Sequence, residues 1–92
     1  MTSMFTVSIM EPFVIDTRSS VPSYRQLAGQ LRSRIESGAI EPDQALPSIT
    51  YLRQETGLAV GTIRQAIAVI VEDGFAYTVP GRGTYAASRD AS

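Results

Sequence analysis

A chain of 92 residues has room for one small domain, and its 43% hydrophobic and 18% charged residues are typical of a globular fold. It contains no cysteine and no histidine, which argues against disulfides, zinc or iron sites and the usual proton shuttles of enzymes. We therefore expect no cofactor and no catalytic activity. The formal net charge of −1 is unlike that of most nucleic-acid-binding domains, which are basic.

All of the basic side chains are arginine rather than lysine. Arginine makes forked contacts with phosphate and guanine, whereas lysine acts as a point charge. Codon bias in a GC-rich genome would produce the same lysine deficit, so the composition leaves the partner open. The eight arginines are Arg18, Arg25, Arg32, Arg34, Arg53, Arg64, Arg82 and Arg89.

The N-terminal residues carry no recognisable targeting signal. Met1–Phe13 is apolar but lacks the positively charged start and the small-residue cleavage site of a secretory signal. No apolar run approaches the roughly 20 residues of a membrane span. We therefore expect a cytoplasmic protein that is not attached to a membrane.

The first 20 residues are predicted to form an extended arm. Phe5, Val7 and Ile9 alternate with less apolar residues, which is the period of a half-buried strand. Phe13-Val14-Ile15 is a second short extended piece after the interruption at Pro12. Since an exposed strand edge pairs readily with another chain, we expect this arm either to pair between two subunits or to close the sheet of its own subunit.

The first predicted helix opens at Pro22-Ser23 and ends at Gly38, where a glycine suits the left-handed C-terminal cap. Its apolar residues recur at helical spacing from Tyr24 to Ile35, so we assign Tyr24 to the core rather than to a binding site. The connector Ile40–Leu46 has turn residues between apolar ends and is expected to dock on the core.

A short helix and a tight turn come next. Pro47 disfavours a helix just before it, and Ser48 can cap a helix that runs from Ile49 to Thr56. Gly57 ends this helix, with Leu52 pointing inward.

The third predicted helix begins after Leu58-Ala59 and is closed by Gly74. Glu72 and Asp73 lie near its end, where a solvated helix terminus explains them better than acid catalysis does. Ala68, Val69 and Val71 are expected to add spare apolar surface. The inward-facing residues follow the spacing i, i+3, i+4, i+7 and are Ile63, Ala66, Ile67 and Ile70.

The remaining residues change to strand composition. Phe75–Val79 and Thr84–Ala87 are predicted strands, joined by the turn residues Pro80-Gly81-Arg82-Gly83. Gly81–Ala86 also fits the dinucleotide-binding pattern G-x-G-x-x-A, but that motif needs a following helix, and only six residues remain. The predicted order is therefore helix, short helix, turn, helix, hairpin, which many small domains share without binding DNA.

A series of short motifs runs in order through most of the chain. They are Val21–Ala28, Ile35–Pro42, Leu46-Pro47-Ser48, Leu52, Gly57-Leu58, Thr62–Ile67, Glu72–Phe75 and Gly81–Tyr85. In this order and spacing they resemble the DNA-binding domain of GntR-type winged-helix regulators. Several motifs in the right order arise by chance far less readily than any one of them.

The resemblance implies an α+β winged helix-turn-helix over residues 21–87, with three helices followed by a two-stranded β-hairpin wing. Residues 1–20 are then the N-terminal arm and residues 88–92 a tail. It also implies a bacterial transcriptional regulator that binds operator DNA, with the helix after Gly57 as the recognition helix. The candidate DNA-binding residues are Ser48, Thr50, Arg53, Val60, Thr62, Arg64, Gln65, Gly81, Arg82 and Gly83.

The resemblance also suggests roles for several of these residues. Thr62 and Arg64 look like recognition-helix contacts, with Arg64 a candidate for guanine O6 and N7. Ser48 looks like a helix cap near a phosphate. Gly81 and Arg82 look like the contacts that the wing makes with the minor groove or the backbone.

The same side chains also have explanations that need no DNA. Arg64 could pair with acidic neighbours on a solvated face, and Arg82 would be exposed in any turn. Thr62 and Gln65 could be ordinary surface residues. The motif context favours DNA contact for the two arginines.

The chain departs from the family at two places. Members usually have Glu-Arg where this chain has Ile49-Thr50, and Ser/Thr-Arg where it has Ala59-Val60. Two customary DNA-facing arginines and a helix cap are therefore missing, and a lost cap typically costs about 0.5–2 kcal/mol. Val60 can meet a thymine methyl group instead, and Arg53 can offset part of the lost charge. We expect an operator preference different from the family's usual one.

Two functions are open at this point. The first is sequence-specific binding of duplex DNA as a repressor or an activator. The second is a winged-helix module for protein–protein contact with weak or no DNA binding, which the acidic balance permits. Because the chain stops shortly after the wing, we expect no small-molecule effector site in it, and either a stand-alone DNA binder or a piece of a longer regulator. One winged helix reads one half-site, which suggests a homodimer through the N-terminal arm.

Overall fold

The computed structural model describes residues 12–88. Three helices precede a two-stranded antiparallel hairpin, which confirms the predicted winged helix-turn-helix. The elements in chain order are α1 (Ser23–Ser37), α2 (Ile49–Thr56), α3 (Val60–Glu72), β1 (Ala76–Val79) and β2 (Gly83–Ala86).

The core is built mainly where α1 packs against α3. Helical spacing places the apolar residues of each helix on one face, and burying one such side chain contributes about 1.5–3 kcal/mol. Tyr24 packs against this core, as predicted. The largest fully buried side chains are Leu27, Leu31, Leu52, Ile63 and Ile70.

The ends of the helices follow the sequence closely. Ser48 caps α2, since its hydroxyl oxygen accepts a hydrogen bond from the backbone N–H of Tyr51 at 3.0 Å. Gly38 and Gly57 end α1 and α2 in the left-handed conformation, with φ of 88° and 74°. At the start of α3, Ala59 provides no side-chain hydrogen bond, so this helix lacks the cap that α2 has.

The hairpin pairs Ala76 with Ala86 at its base and Val79 with Gly83 at its tip. The connector before α2 lies along the other edge of β2, through an isolated bridge between Ala45 and Tyr85. Ile40 and Leu46 at the ends of the connector are buried, which confirms that it docks on the core.

The short piece Phe13–Ile15 does not join the sheet, whereas the pairing predicted for the rest of the arm concerns residues outside the described range. The backbone N–H and C=O of Val14 both bond to the side chain of Gln30 on α1, at 3.1 and 2.6 Å. Phe13 is buried, and the edge beside β2 is occupied by the connector instead. The strand predicted around Phe5–Ile9 and the tail from residue 89 lie outside the described residues.

The exposed apolar surface of α3 is smaller than predicted. Val69 and Val71 are half-buried and pack against the core, and Ala68 is the exposed one of the three. Within residues 12–88, no helix is both long and apolar enough to cross a membrane.

Candidate nucleic-acid interface

α2 and α3 are joined by a tight turn that fixes the direction of α3. Gly57 takes the left-handed conformation, and Thr56 stabilises the turn with its hydroxyl, which donates to the carbonyl of Leu52 at 2.7 Å and accepts from the N–H of Leu58 at 3.1 Å. Leu58 then packs against the core. These contacts hold the first turn of α3 beside α2, which is the helix-turn-helix arrangement.

One side of α3 is exposed, and we call it the outer face of α3. Its residues follow helical spacing and are Gly61, Arg64, Gln65, Ala68 and Glu72. The opposite side of the helix is anchored by Ile63, Ala66 and Ile70, each no more than 1% exposed. The predicted site residues Arg64 and Gln65 therefore lie on an open and firmly supported surface. Val60 and Thr62, also predicted, are half-buried at its margin.

The arginines of α1 are engaged in contacts within the domain. The guanidinium groups of Arg25 and Arg32 lie over the rings of Tyr24 and Phe75, at 5.4 and 4.9 Å from the ring centroids. Arg32 also pairs with Glu36 at 3.6 Å. Cations stacked on aromatic rings cover apolar surface and are held in place.

Arg34 on α1 is engaged in the same way. Its guanidinium lies 3.8 Å from the centroid of the Phe13 ring and donates to the carbonyl oxygen of Pro12 at 3.2 Å. This contact fixes the segment that leads into α1 on the core.

The side chains of Arg53, Arg64 and Arg82 differ, because none of them makes a hydrogen bond, ion pair or ring contact within residues 12–88. All three are exposed. The alternative that Arg64 is neutralised by an acidic neighbour therefore has no ion pair to support it in the described part of the chain. Of the four free cations in the described residues, three belong to α2, α3 and the wing, and the fourth, Arg18, lies before α1.

The predicted residues of α2 lie next to the turn. Thr50 and Arg53 are exposed and, with Gly57, line a shallow cavity of about 290 Å³. Gln54 also lines this cavity, and nothing in its sequence context singled it out. Ser48 is exposed, and the oxygen of its hydroxyl is used in the cap, which leaves its hydrogen free to donate.

The wing tip is a turn that presents Arg82. The N–H of Arg82 donates to the carbonyl of Val79 at 2.9 Å, and Gly81 and Gly83 on either side have φ of 77° and 137°. A side chain at either glycine would be strained, so the sequence Gly-Arg-Gly leaves one exposed cation at the tip.

A groove of about 500 Å³ connects α3 with the hairpin. It is lined by Arg64, Gln65 and Ala68 of the outer face and by Thr78 of β1. Arg64 and Gln65 thus share a groove with the hairpin, whereas the other predicted residues of α3 and those of the wing tip do not line it. Thr50 and Arg53 line a separate cavity beside the turn. Thr78 was not predicted, and only its alternation along the strand could have suggested it.

Residues 12–88 contain no group of three or more acidic, histidine or cysteine side chains that could hold a metal ion. Among residues 12–88, the one side-chain pKa that is clearly shifted belongs to Tyr77 at the base of the wing. A hydrogen bond from its hydroxyl to the carboxylate of Asp43, at 2.7 Å, raises the pKa of Tyr77 above its ordinary value.

Comparison with known proteins identifies one family over most of the chain. The model of the family "Bacterial regulatory proteins, gntR family" matches residues 23–86. The HTH-type transcriptional repressor NagR of Bacillus subtilis (strain 168) is 37% identical over 71 residues, which are 77% of this chain and 29% of NagR. The mannosyl-D-glycerate transport/metabolism system repressor MngR of Escherichia coli (strain K12) is 39% identical over 64 residues, or 70% of this chain and 27% of MngR.

Among solved structures, AraR(DBD) in complex with operator ORX1 is similar, with a TM-score of 0.74 and 36% identity. The match covers 80% of this chain and 94% of the AraR(DBD) chain. The present chain therefore spans less than a third of the two curated repressors, but nearly the whole of the AraR(DBD) chain.

Proposed function

This chain belongs to the gntR family of bacterial regulatory proteins, and we propose that it binds double-stranded operator DNA sequence-specifically as the DNA-binding part of a transcriptional regulator. The observation that carries this proposal is the outer face of α3, where Arg64 and Gln65 are exposed above a row of buried anchors. The similarity to AraR(DBD), which is bound to an operator, supports the same function.

In this function α3 enters the major groove, which is about 12 Å wide and admits a helix. Arg64 makes a forked contact with O6 and N7 of a guanine, and Gln65 and Thr62 contact neighbouring bases or phosphates. Small residues on either side of this pair, Gly61 and Ala68, let the helix backbone approach the bases closely.

Val60 supplies an apolar contact at the leading turn of α3. It is half-buried, but it is not among the side chains that pack against the core. A valine at this place meets the methyl group of a thymine, in a position where the family usually has arginine. The operator should therefore contain a thymine beside the guanine that Arg64 reads.

The other candidate residues hold the domain on the DNA backbone. Ser48, Thr50 and Arg53 face phosphates from α2 and its cap, and Arg82, presented by Gly81 and Gly83, reaches the backbone or the minor groove from the wing. Arg53 and Arg82 are the free arginines that face the backbone, so each bound copy neutralises about two phosphates. The slope of log K against log salt concentration should then be about −2 per copy.

Several consequences follow from this function. Operator binding places the chain in the cytoplasm and requires no catalysis. Two copies would occupy half-sites about 34 Å apart on one face of the duplex. A dimer formed through the N-terminal arm remains a prediction.

The alternative of a protein–protein module with weak DNA binding is not favoured, because the similar proteins are repressors and an operator complex.

The experiment that tests this function is selection of bound duplexes from a random library at physiological salt. We expect a recurrent short sequence that contains guanine and thymine. A selected duplex should then bind more tightly than a scrambled duplex of the same composition, by a factor of about 10³ or more. Equal affinity for selected and scrambled duplexes would contradict sequence-specific binding.

A further inference from the structure

The connector before α2 links the wing directly to the helix-turn-helix. Its backbone forms three hydrogen bonds with β2, from Asp43 N–H to Ala86 C=O (2.7 Å), from Ala86 N–H to Gln44 C=O (2.8 Å) and from Leu46 N–H to Thr84 C=O (2.9 Å). Leu46 is followed within two residues by the cap of α2. Any displacement of β2 is therefore transmitted to the start of α2.

A side chain of β1 also reaches this connector. Tyr77 lies directly opposite Tyr85 of β2, and their rings stack with centroids 5.8 Å apart and an interplanar angle of 22°. The hydroxyl of Tyr77 continues past β2 and donates to a carboxylate oxygen of Asp43 at 2.7 Å. One side chain thus spans all three adjacent segments of the wing base.

Asp43 is held in an unusual conformation. Its φ of 65° is the one positive value at a non-glycine residue within residues 12–88. Aspartate tolerates the left-handed region better than most residues do, and its carboxylate is the acceptor in a charge-assisted hydrogen bond here. The backbone turn at Asp43 therefore orients the group that receives the Tyr77 hydroxyl.

The two ends of the wing differ in how they are attached. Phe75 and Ala76 at its base are 7% and 4% exposed and belong to the core, whereas Pro80–Gly83 at its tip are exposed. Between these ends, the Tyr77–Asp43 hydrogen bond is the one side-chain hydrogen bond of the described residues that ties β1 to the connector. This hydrogen bond is therefore well placed to fix the orientation of the wing tip relative to the helices.

We propose that Tyr77 and Asp43 are positioning residues, which fix the wing relative to α2 and α3 so that Arg82 meets the DNA in a defined place. The part that concerns DNA rests on the proposed function. The part that concerns the wing itself can be measured without DNA.

The measurement without DNA is amide hydrogen exchange in the whole chain. Tyr77→Phe removes only the hydroxyl, and we expect the N–H groups of Asp43, Leu46 and Ala86 to exchange about three to ten times faster. Amides of α1 should keep their rates. Tyr51→Phe is the matched control, because Tyr51 is also exposed and its hydroxyl makes no hydrogen bond within residues 12–88.

The measurement with DNA is a double-mutant cycle on a selected operator. Arg82→Ala should weaken binding about tenfold in the wild-type background and only about threefold in the Tyr77→Phe background, because a loose wing no longer places Arg82 well. In the Tyr51→Phe background the loss should stay about tenfold. With Tyr77 intact, Asp43→Asn keeps an acceptor oxygen and tolerates positive φ, so in this background the loss caused by Arg82→Ala should stay close to tenfold.

Two results would overturn the positioning role. One is unchanged exchange in Tyr77→Phe, and the other is an equal effect of Arg82→Ala in both backgrounds. A chain that binds no duplex at all would contradict the proposed function, and the exchange rates would still decide whether the pair fixes the wing.

Discussion

The two sides of this small domain use the same residue type in opposite ways. On α1, the guanidinium groups of Arg25, Arg32 and Arg34 each lie over an aromatic ring that belongs to the core or packs against it. On the side formed by α2, α3 and the wing, the exposed arginines make no contacts within the described chain. Of the four arginines in residues 12–88 whose side chains make no contact, three lie on this side and the fourth, Arg18, lies before α1, so the net charge of −1 conceals an uneven distribution of free cations. For DNA binding, the distribution of free charge matters more than its sum.

The largest effect should come from removing the support beneath the outer face of α3. Ile63→Ala creates a cavity at a fully buried position and should lower the free energy of unfolding by about 2–5 kcal/mol, measured by urea denaturation. Gly61→Ala on the same helix is the control. Its added methyl group meets open space, and it should raise the free energy of unfolding by about 0.5–1 kcal/mol. A loss of stability in the control would contradict the exposed position of Gly61.

A second change would make α3 more like the arginine-rich family pattern. Val60→Arg should steepen the slope of log K against log salt concentration by about one and strengthen binding to unrelated DNA, because one more phosphate is neutralised. Discrimination in favour of the thymine should fall. Titrations of selected and scrambled duplexes at several salt concentrations measure both effects. An unchanged salt slope would place residue 60 away from the DNA.

A third change would remove the difference between the starts of α2 and α3. Ala59→Ser supplies the side-chain acceptor that Ser48 gives to α2, and it should raise the free energy of unfolding by about 0.5–2 kcal/mol. Ser48→Ala should lower it by a similar amount. If Ala59→Ser had no effect while Ser48→Ala did, the first turn of α3 would have another source of capping.

The smallest effect concerns the pH dependence of the wing base. The pKa of Tyr77 is raised because its hydroxyl donates to Asp43, so the folded state holds this proton more tightly than the unfolded state does. The stabilisation is present below the ordinary pKa of tyrosine, about 10, and is lost as the pH rises through the raised value. NMR titration should detect the raised pKa, and Asp43→Ala should return it towards the ordinary range. A Tyr77 pKa that Asp43→Ala leaves unchanged would show that the hydrogen bond is not its cause.

Much of this fold is predictable because its signals are local. Gly38 and Gly57 stand where helices end, Ser48 caps α2, and the apolar spacing of Ile63 to Ile70 specifies the buried side of α3. The hairpin strands were predicted within a residue or two for the same reason. These features depend on neighbours in sequence, which is what a pattern records.

The features that escaped prediction depend on residues distant in sequence. Phe13–Ile15 has strand composition but is held by the side chain of Gln30 on α1 rather than by a strand, and no periodicity reveals such contacts. Asp43 and Tyr77 are 34 residues apart, so their hydrogen bond was equally invisible. The candidate site was predictable as far as the exposure of Arg64 and Arg82, but not the engagement of the α1 arginines.

The most direct test of the account compares one arginine from each side of the domain on a selected operator. Arg64→Ala and Arg32→Ala remove the same charge, the first from the outer face of α3 and the second from a ring contact on α1. Arg64→Ala should weaken binding by about 1–3 kcal/mol and relax the requirement for guanine at one position, whereas Arg32→Ala should change affinity less than threefold. Equal losses in the two variants, with the guanine requirement intact, would contradict recognition by the outer face of α3.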